Sequence, residues 1–393
     1  MDYTKESLAF KIRKGMRYIF LYGIGRTIIK VRSKYHMNRH YTQLPAIRKA
    51  SNSNRHVGIL GCGQFGYSNI AYYLRKNFGG VIRGVMDVNV DRAASMFQEF
   101  KTDYFTTDEN DIIQDTGIDL IYVASNHYTH AEYAIRALRT GKSVHIEKPH
   151  AVTVDQLVRL VEAMKDSQGK VRLGFNRPHS YFGLKIREAL AKETGPGMYN
   201  WFVAGHEIEP DHWYFSPAEG GRILGNLCHW TDFLLHLVPE EKAYPITIVP
   251  TRADRSDCDI SISYIFGEGS IGTIAFSVKG HTFEGVRESF SGHKGNTLVD
   301  LRNFEYLRID VVDQIYRKKL WARDHGHETN IVCAYSMLSS KDHIESQKID
   351  YVWNSGYLAL KTKEALERNE KITVEAFSKA YAMHSEYVRQ GKS

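Results

Sequence analysis

His56-Val57-Gly58-Ile59-Leu60-Gly61-Cys62-Gly63-Gln64-Phe65-Gly66 begins as a short apolar run and ends as a glycine turn, the pattern of a strand buried on both faces of a parallel sheet. The Gly61-x-Gly63-x-x-Gly66 turn opens a helix expected from about Ser68 to Lys76, and a second strand, Val81 to Met86, ends at Asp87. Strand, glycine turn, helix, strand and acidic residue form the order of a dinucleotide-binding βαβ unit. Gly61 permits the tight turn, Gly63 lets backbone approach a pyrophosphate, and Gly66 lets helix pack on strand, while helix N-terminal amides stabilise the anion. Cys62, Gln64 and Phe65 complete the loop. Asp87 can accept hydrogen bonds from ribose hydroxyls and would repel a 2′-phosphate, so NAD is expected; Arg92 keeps NADP as the less favoured alternative.

Outward from this unit, strand and helix keep alternating: helix 91 to 100, strand near Tyr104, strand Leu120 to Ala124, helix Thr129 to Arg139, strand Ser143 to Ile146. Such alternation implies a parallel sheet with helices on both faces, a Rossmann domain over residues 55 to 175. From Asn176 the pattern changes to helices around 182 to 192 and 228 to 237 with alternating strands Ile260 to Phe266 and Ile271 to Val278. Residues 176 to 393 therefore read as an α/β domain with a mostly antiparallel sheet.

The chain has 393 residues, 42% hydrophobic and 25% charged, an ordinary globular composition. No apolar run approaches the roughly 20 residues of a membrane span, and Lys11, Arg13, Lys14 and Arg17 interrupt the N-terminal apolar residues, so neither signal peptide nor transmembrane helix is expected. Cys62, Cys228, Cys258 and Cys333 lack paired spacing, which suits reduced thiols and a cytoplasmic protein. His325-Gly326-His327-Glu328 offers too few ligands for a metal site, and none is expected.

Charge is uneven. Residues 1 to 55 hold 13 Lys or Arg against Asp2 and Glu6, a local balance of +11 within a chain total of +7, leaving the remainder at −4. The basic character therefore belongs to an arm, residues 1 to 54, and not to a nucleic-acid surface. Leu8, Ile12, Met16, Ile19 and Phe20 recur at helical spacing, Gly23 and Gly25 break the pattern, and a second helix is expected from Thr27 to about Tyr35. Two roles stay open for residues 1 to 50: peripheral contact with the anionic inner membrane face, or packing on a neighbouring subunit or on the chain's own Rossmann domain.

Two further strings, Ala124-Ser125-Asn126-His127-Tyr128-Thr129-His130 and Glu147-Lys148-Pro149, resemble the glucose-fructose oxidoreductase, inositol dehydrogenase and rhizopine-catabolism (Gfo/Idh/MocA) family over about residues 55 to 360. The resemblance implies that Ser125, Asn126, His127 and His130 sit on the cofactor loop, that Glu147 and Lys148 lie at the nicotinamide, and that the open sheet mediates homo-oligomerisation. Lys148 can be argued separately: oxidising a secondary alcohol needs a base for the hydroxyl proton, and a lysine with lowered pKa serves. Pro149 shapes the turn that aims it and admits a cis bond.

In the second domain, Gly220-Gly221-Arg222-Ile223-Leu224-Gly225-Asn226-Leu227-Cys228-His229-Trp230-Thr231-Asp232 resembles the family's substrate helix. His229 fits its histidine, whereas the position of the usual aspartate holds Gly225, beside Asn226. Asn176 and Arg177 stand at the domain junction, where Arg177 would suit a phosphate or carboxylate; His206, Asp211, His212, Trp213 and Tyr214 could form a sugar platform. The expected reaction is hydride transfer between NAD and a carbinol carbon of a sugar, nucleotide sugar or lipid-linked sugar, with Lys148 and His229 catalytic. The departure at Gly225 leaves open a redox-neutral epimerase or eliminase with retained NAD, and a non-catalytic regulatory or scaffold protein.

Overall fold

The computed structural model describes residues 5–47, 54–209, 211–251, 259–278, 283–339 and 345–389. Cys258 and the polar stretch Ser51 to Ser53 before the expected boundary lie outside the described residues.

The first sheet has six strands: β1 (Val57–Leu60), β2 (Ile82–Met86), β3 (Tyr104–Thr106), β4 (Leu120–Val123), β5 (Ser143–Ile146) and β6 (Val171–Leu173), in the order β3-β2-β1-β4-β5-β6. Each neighbouring pair is parallel. The strand order reverses between β1 and β4, so the crevice beyond their carboxyl ends is where a ligand binds in such a sheet. Every residue of β1 and β4 is buried, which explains why they read as unbroken apolar runs.

The covering helices are α3 (Tyr72–Phe78), α4 (Val90–Phe100), α5 (Glu109–Ile113), α6 (His127–Arg139) and α7 (Val154–Asp166). Asn89 caps α4 and Thr153 caps α7, each side-chain oxygen accepting from the backbone N–H three residues on, as N-caps do. A π-helical turn, Gly66–Ala71, precedes α3, so the helix begins earlier than the expected Ser68.

The second sheet has nine strands, β7 (Gly197–Ala204), β8 (Ile246–Thr251), β9 (Ile260–Ile265), β10 (Ile271–Ser277), β11 (Arg287–Lys294), β12 (Thr297–Arg302), β13 (Tyr306–Val311), β14 (Gln314–Lys319) and β15 (Ile372–Val374), in the order β14-β13-β12-β11-β7-β10-β9-β8-β15. Only the pairing of β7 with β10 is parallel among those described. Strand β7 alternates buried and exposed residues: Tyr199, Trp201 and Val203 enter the core, while Met198 and Phe202 face outward.

Helices α8 (Tyr181–Ala191), α9 (Cys228–Leu235), α10 (Glu240–Ala243), α11 (His327–Ser336), α12 (Ile349–Arg368) and α13 (Phe377–Arg389) complete the fold. One apolar cluster runs from Val144 and Leu157 of the Rossmann domain to Trp201, Phe233 and Trp353 of the second. Helix α11 returns to the first sheet, burying Ile331, Ala334 and Met337 against Ile59 and Leu74, and the Tyr122 hydroxyl donates to Ile331 O at 2.8 Å.

The arm is a helical pair, α1 (Leu8–Tyr22) and α2 (Ile24–His36), turned at Gly23 with φ 82°. Helix α2 therefore starts before the expected Thr27 and takes Gly25 into its first turn. The pair packs on its own chain. His36 Nε2–H donates to Cys62 O at 2.6 Å and its ring stacks on Tyr67; Arg17 pairs with Glu284 at 2.6 Å, Lys14 Nζ donates to Phe283 O at 2.7 Å, and Leu21 O accepts from Arg323 N at 2.7 Å. The expected apolar stripe is real but points outward: Leu8, Ile12, Met16 and Phe20 of α1 and Ile24 and Ile28 of α2 are exposed, whereas Lys14 and Arg26 are buried.

Candidate active site

Gly61 sits at φ +103°, and a Cβ there would press into the Ala124 carbonyl and lie 2.7 Å from Ser125 N, so only glycine carries the chain past the end of β4. Gly63, by contrast, would meet nothing within 4 Å, which marks open space in front of the loop. Asp87 is held by the loop it faces: Oδ2 accepts from Cys62 N at 2.8 Å and Oδ1 from Asn89 N at 2.9 Å. The Cys62 side chain turns into the core, its thiol donating to Met86 O, and its backbone N–H and C=O are taken by Asp87 and His36, so this expected cofactor residue braces the loop instead of offering a free group to a ligand.

Gly61, Gly63 and Asp87 line a cleft of about 700 Å³ that also takes in Gln64, Phe65, Arg92, Ser125, Asn126, His127, Glu147 and Lys148. Arg92 Nε has no hydrogen-bond partner there. A dinucleotide fits this donor set: the space at Gly63 and the amides of the following turn suit a pyrophosphate, and Asp87 suits a ribose.

His127 Nδ1–H donates to Glu219 O at 2.9 Å, and burial beside His130 and Lys148 keeps its ring neutral by lowering its pKa. His130 lies between two carbonyls, Pro149 O at 2.8 Å and Ser125 O at 3.1 Å. It ties the cofactor loop to the Glu-Lys-Pro turn, where the Lys148-Pro149 bond is cis.

Glu147 and Lys148 also line an inner pocket of about 250 Å³, with His229, His325 and His327. Lys148 Nζ donates to Gly225 O at 2.6 Å. Gly225 belongs to a second π-helical turn, Ile223–Leu227, that runs into α9; π turns free carbonyls from the regular ladder and concentrate at functional sites. A Cβ on Gly225 would enter the Tyr214 ring and lie 2.7 Å from His127 Cε1, which is the physical reason a side chain is missing where the family resemblance puts aspartate. Burial, with Arg177 and Lys148 nearby, pushes the His229 pKa well below its ordinary value, and His229 Nδ1 has no partner.

Not every expected substrate residue reaches this pocket. Arg177 is spent on Glu288, Nε to Oε2 at 2.7 Å and Nη2 to Oε1 at 3.2 Å, and Glu288 also accepts from Trp230 Nε1 at 2.7 Å and contacts His325 Nε2 at 3.2 Å. Its anion is thus internal, not a ligand. Asn176 is fully buried and donates to His325 O at 2.6 Å, a strut beneath the pocket. His212 and Trp213 line the cofactor cleft instead, where Trp213 meets His127 edge to face. Asn226 Oδ1 accepts from the Tyr214 hydroxyl at 3.3 Å. Among the described residues no three His, Cys, Asp or Glu side chains come together as metal ligands.

The inner pocket also takes in residues that no motif placed there: Tyr22, Arg26 and Lys30 from the arm, and Arg323 from the loop after β14. The one visible signal was the charge excess of the arm.

A six-stranded Rossmann sheet with an open glycine cradle, joined to a nine-stranded sheet across a shared core, defines a two-domain dinucleotide-binding protein. Residues 55–175 match the family described as Oxidoreductase family, NAD-binding Rossmann fold, so this domain is similar to those of the Gfo/Idh/MocA oxidoreductases. Inositol 2-dehydrogenase 2 of Saccharopolyspora erythraea is 32% identical over 200 residues, 50% of this chain and 58% of that protein; the match thus spans little more than half of the relative. Myo-inositol 2-dehydrogenase of Thermotoga maritima is 23% identical over 250 residues, 62% and 75% of the two chains. A solved levoglucosan dehydrogenase, in complex with NADH and L-sorbose, has the same fold, with a TM-score of 0.70 at 18% identity over 83% of this chain and 100% of that one.

Proposed function

We propose that the protein is an NAD-dependent oxidoreductase that moves hydride between the nicotinamide and a carbinol carbon of a sugar or sugar derivative. One observation carries the reading: Glu147 and Lys148 stand in the wall common to the cofactor cleft and the inner pocket, where a proton acceptor must lie if a substrate is to meet the nicotinamide. The bound cofactor would supply the hydride acceptor. Lys148 in its neutral form takes the hydroxyl proton; Gly225 O holds one of its N–H bonds and so fixes where the lone pair points. His229, kept neutral, hydrogen-bonds a neighbouring hydroxyl through its unpartnered Nδ1. Lys148→Met should lower hydride transfer by at least about 100-fold with cofactor affinity little changed. Single-turnover reduction of NAD by a sugar panel, at the wild-type rate in that variant, would remove Lys148 from the mechanism.

A redox-neutral cycle, in which oxidation is followed by epimerisation or elimination and then re-reduction, has separate support. Lys34 and Met37 of the arm region line the cofactor cleft, an arrangement that favours retention of NAD between half-reactions. NAD that co-purifies with the protein and survives dialysis supports the cycle.

The outward stripe of α1 and α2 suits peripheral attachment to an anionic membrane, and the exposed Met198, Phe202 and Leu298 of the second sheet suit self-association. No described helix is long and apolar enough to cross a membrane. Salt-sensitive flotation with anionic liposomes, lost on Leu8→Glu/Ile12→Glu, is the expected result; no flotation by the intact chain removes the membrane reading.

A further inference from the structure

The inner pocket holds more positive charge than its own walls compensate. Arg26 is only 8% exposed; one of its amino groups donates to Asn69 Oδ1, while Nη1 has no hydrogen-bond partner. Its guanidinium packs on the rings of Tyr72 and Tyr73 at 5.4 and 4.9 Å, and no carboxylate pairs with it. Lys30, one turn on, makes no hydrogen bond or ion pair with any described residue and rests near Tyr22 and Tyr18, 4.6 and 5.9 Å from the ring centroids. Burying cations without counter-charges is unfavourable, and here two face one cavity.

The carboxylates around that cavity are committed elsewhere. Asp324 accepts from Gly326 N at 2.7 Å and Tyr181 N at 2.9 Å, and Glu147 Oε1 contacts His145 Nε2 at 3.2 Å. Glu284 and Glu305 pair with Arg323. Nor can the phosphates of a dinucleotide on Gly63 serve, because neither Arg26 nor Lys30 lines the cofactor cleft.

Lys30 stands at a junction. It lines the inner pocket, with Lys148 and His229, and also an outer cavity of about 430 Å³ lined by Phe10, Tyr18 and Tyr35 beside Lys14 and Lys34. An anion held at Lys30 thus has room on both sides, which fits a linking diphosphate better than a terminal phosphate or a carboxylate. Arginine and lysine are the usual partners of phosphate oxygens, and the aromatic, cationic outer cavity suits a nucleobase.

We propose that Arg26 and Lys30 form an anion subsite for the diphosphate of a diphosphate-linked sugar, with the glycosyl group in the inner pocket and the group beyond the diphosphate in the outer cavity. The placement of the glycosyl group rests on the function proposed above; the subsite itself does not.

The test is calorimetry on the full chain with NAD present, using UDP, UDP-glucose, farnesyl diphosphate, glucose and glucuronate. UDP and UDP-glucose should bind at least about tenfold tighter than glucose, and Lys30→Met and Arg26→Met should each remove about tenfold or more of that affinity. Lys30→Met keeps the test valid if Arg26→Met, which loses the Asn69 bond, does not fold. Wild-type UDP affinity in Lys30→Met overturns the proposal, as does glucuronate binding as tightly as UDP. Farnesyl diphosphate binding with the same dependence, in place of UDP, upholds the diphosphate subsite and makes the outer occupant a lipid. If UDP binding depends on Arg26 and Lys30 but no sugar reduces NAD, the subsite stands and the dehydrogenase reading falls; turnover of free sugars with unaltered UDP binding in both variants gives the reverse.

Discussion

The cofactor cleft and the inner pocket share Glu147 and Lys148 yet are built in opposite ways. The cleft rests on one continuous stretch, Gly61 to Asp87, whose glycines leave space and whose carboxylate is met by backbone amides at 2.8 and 2.9 Å. The inner pocket is assembled from residues far apart in sequence, around 22 to 30, 65 to 73, 147 to 148, 229 and 323 to 327, and its charges are balanced only in part. A site made by local backbone geometry accepts a ligand of fixed shape. One made by converging side chains can be rewritten segment by segment, so the two walls should tolerate change very differently.

The largest effect is expected where backbone alone makes the cleft. Gly61→Ala forces a side chain to positive φ against Ala124 and should lower stability by about 3 kcal/mol and abolish NAD binding; urea unfolding and cofactor titration read both. Unchanged unfolding in that variant would mean the loop relaxes, and the contrast between the two walls would disappear.

A smaller effect is expected at the shared wall. Gly225→Asp puts back the carboxylate expected of the family but places its Cβ in the Tyr214 ring, so it should destabilise by about 1 to 3 kcal/mol and lower turnover. A variant as stable as wild type and more active would show that the wall lacked only its acid.

The smallest effect concerns the inner pocket. Burial pushes Lys30 down to about 7 and Lys14 down to about 8 from 10.5, helped for Lys30 by Arg26, Lys34, Arg323 and Lys14. The groups facing Lys30 are Lys14, Tyr18 and Tyr22 from α1, Arg26 and Lys34 from α2, and Arg323 from the loop after β14. Between pH 7 and 10.5 the unfolded chain holds a proton at Lys30 that the folded chain has released, so stability rises with pH across that window and is flat below it. The urea midpoint of the ligand-free protein should rise from pH 7 to 9, and Lys30→Met should lessen the rise; an equal rise in both would detach Lys30 from it.

The same contrast explains what was legible in the sequence. Five of the six parallel strands, the glycine turn and Asp87 follow from residues close in sequence, where apolar run length and turn chemistry act directly; the three-residue edge strand β6 was too short to be read. The second sheet was legible only as antiparallel alternation; the parallel pairing of β7 with β10 joins strands more than 60 residues apart, and no local pattern encodes it. Arg177 could be seen as an anion partner, but its anion, Glu288, lies 111 positions away. The arm was legible as two amphipathic helices; which face turns inward depends on Cys62, Tyr67 and Asn69 of the first domain and on Phe283, Glu284 and Arg323 of the second.

Beneath the cleft, the apolar cluster from Leu157 to Trp353 welds the two sheets together, so they cannot hinge apart without exposing it to water. The arm lines the inner pocket through Tyr22, Arg26 and Lys30, and its hold on the second domain includes the Arg17–Glu284 pair at 2.6 Å. Such pairs weaken as salt screens them. Raising the ionic strength should therefore loosen this hold of the arm while the apolar weld between the sheets stays intact.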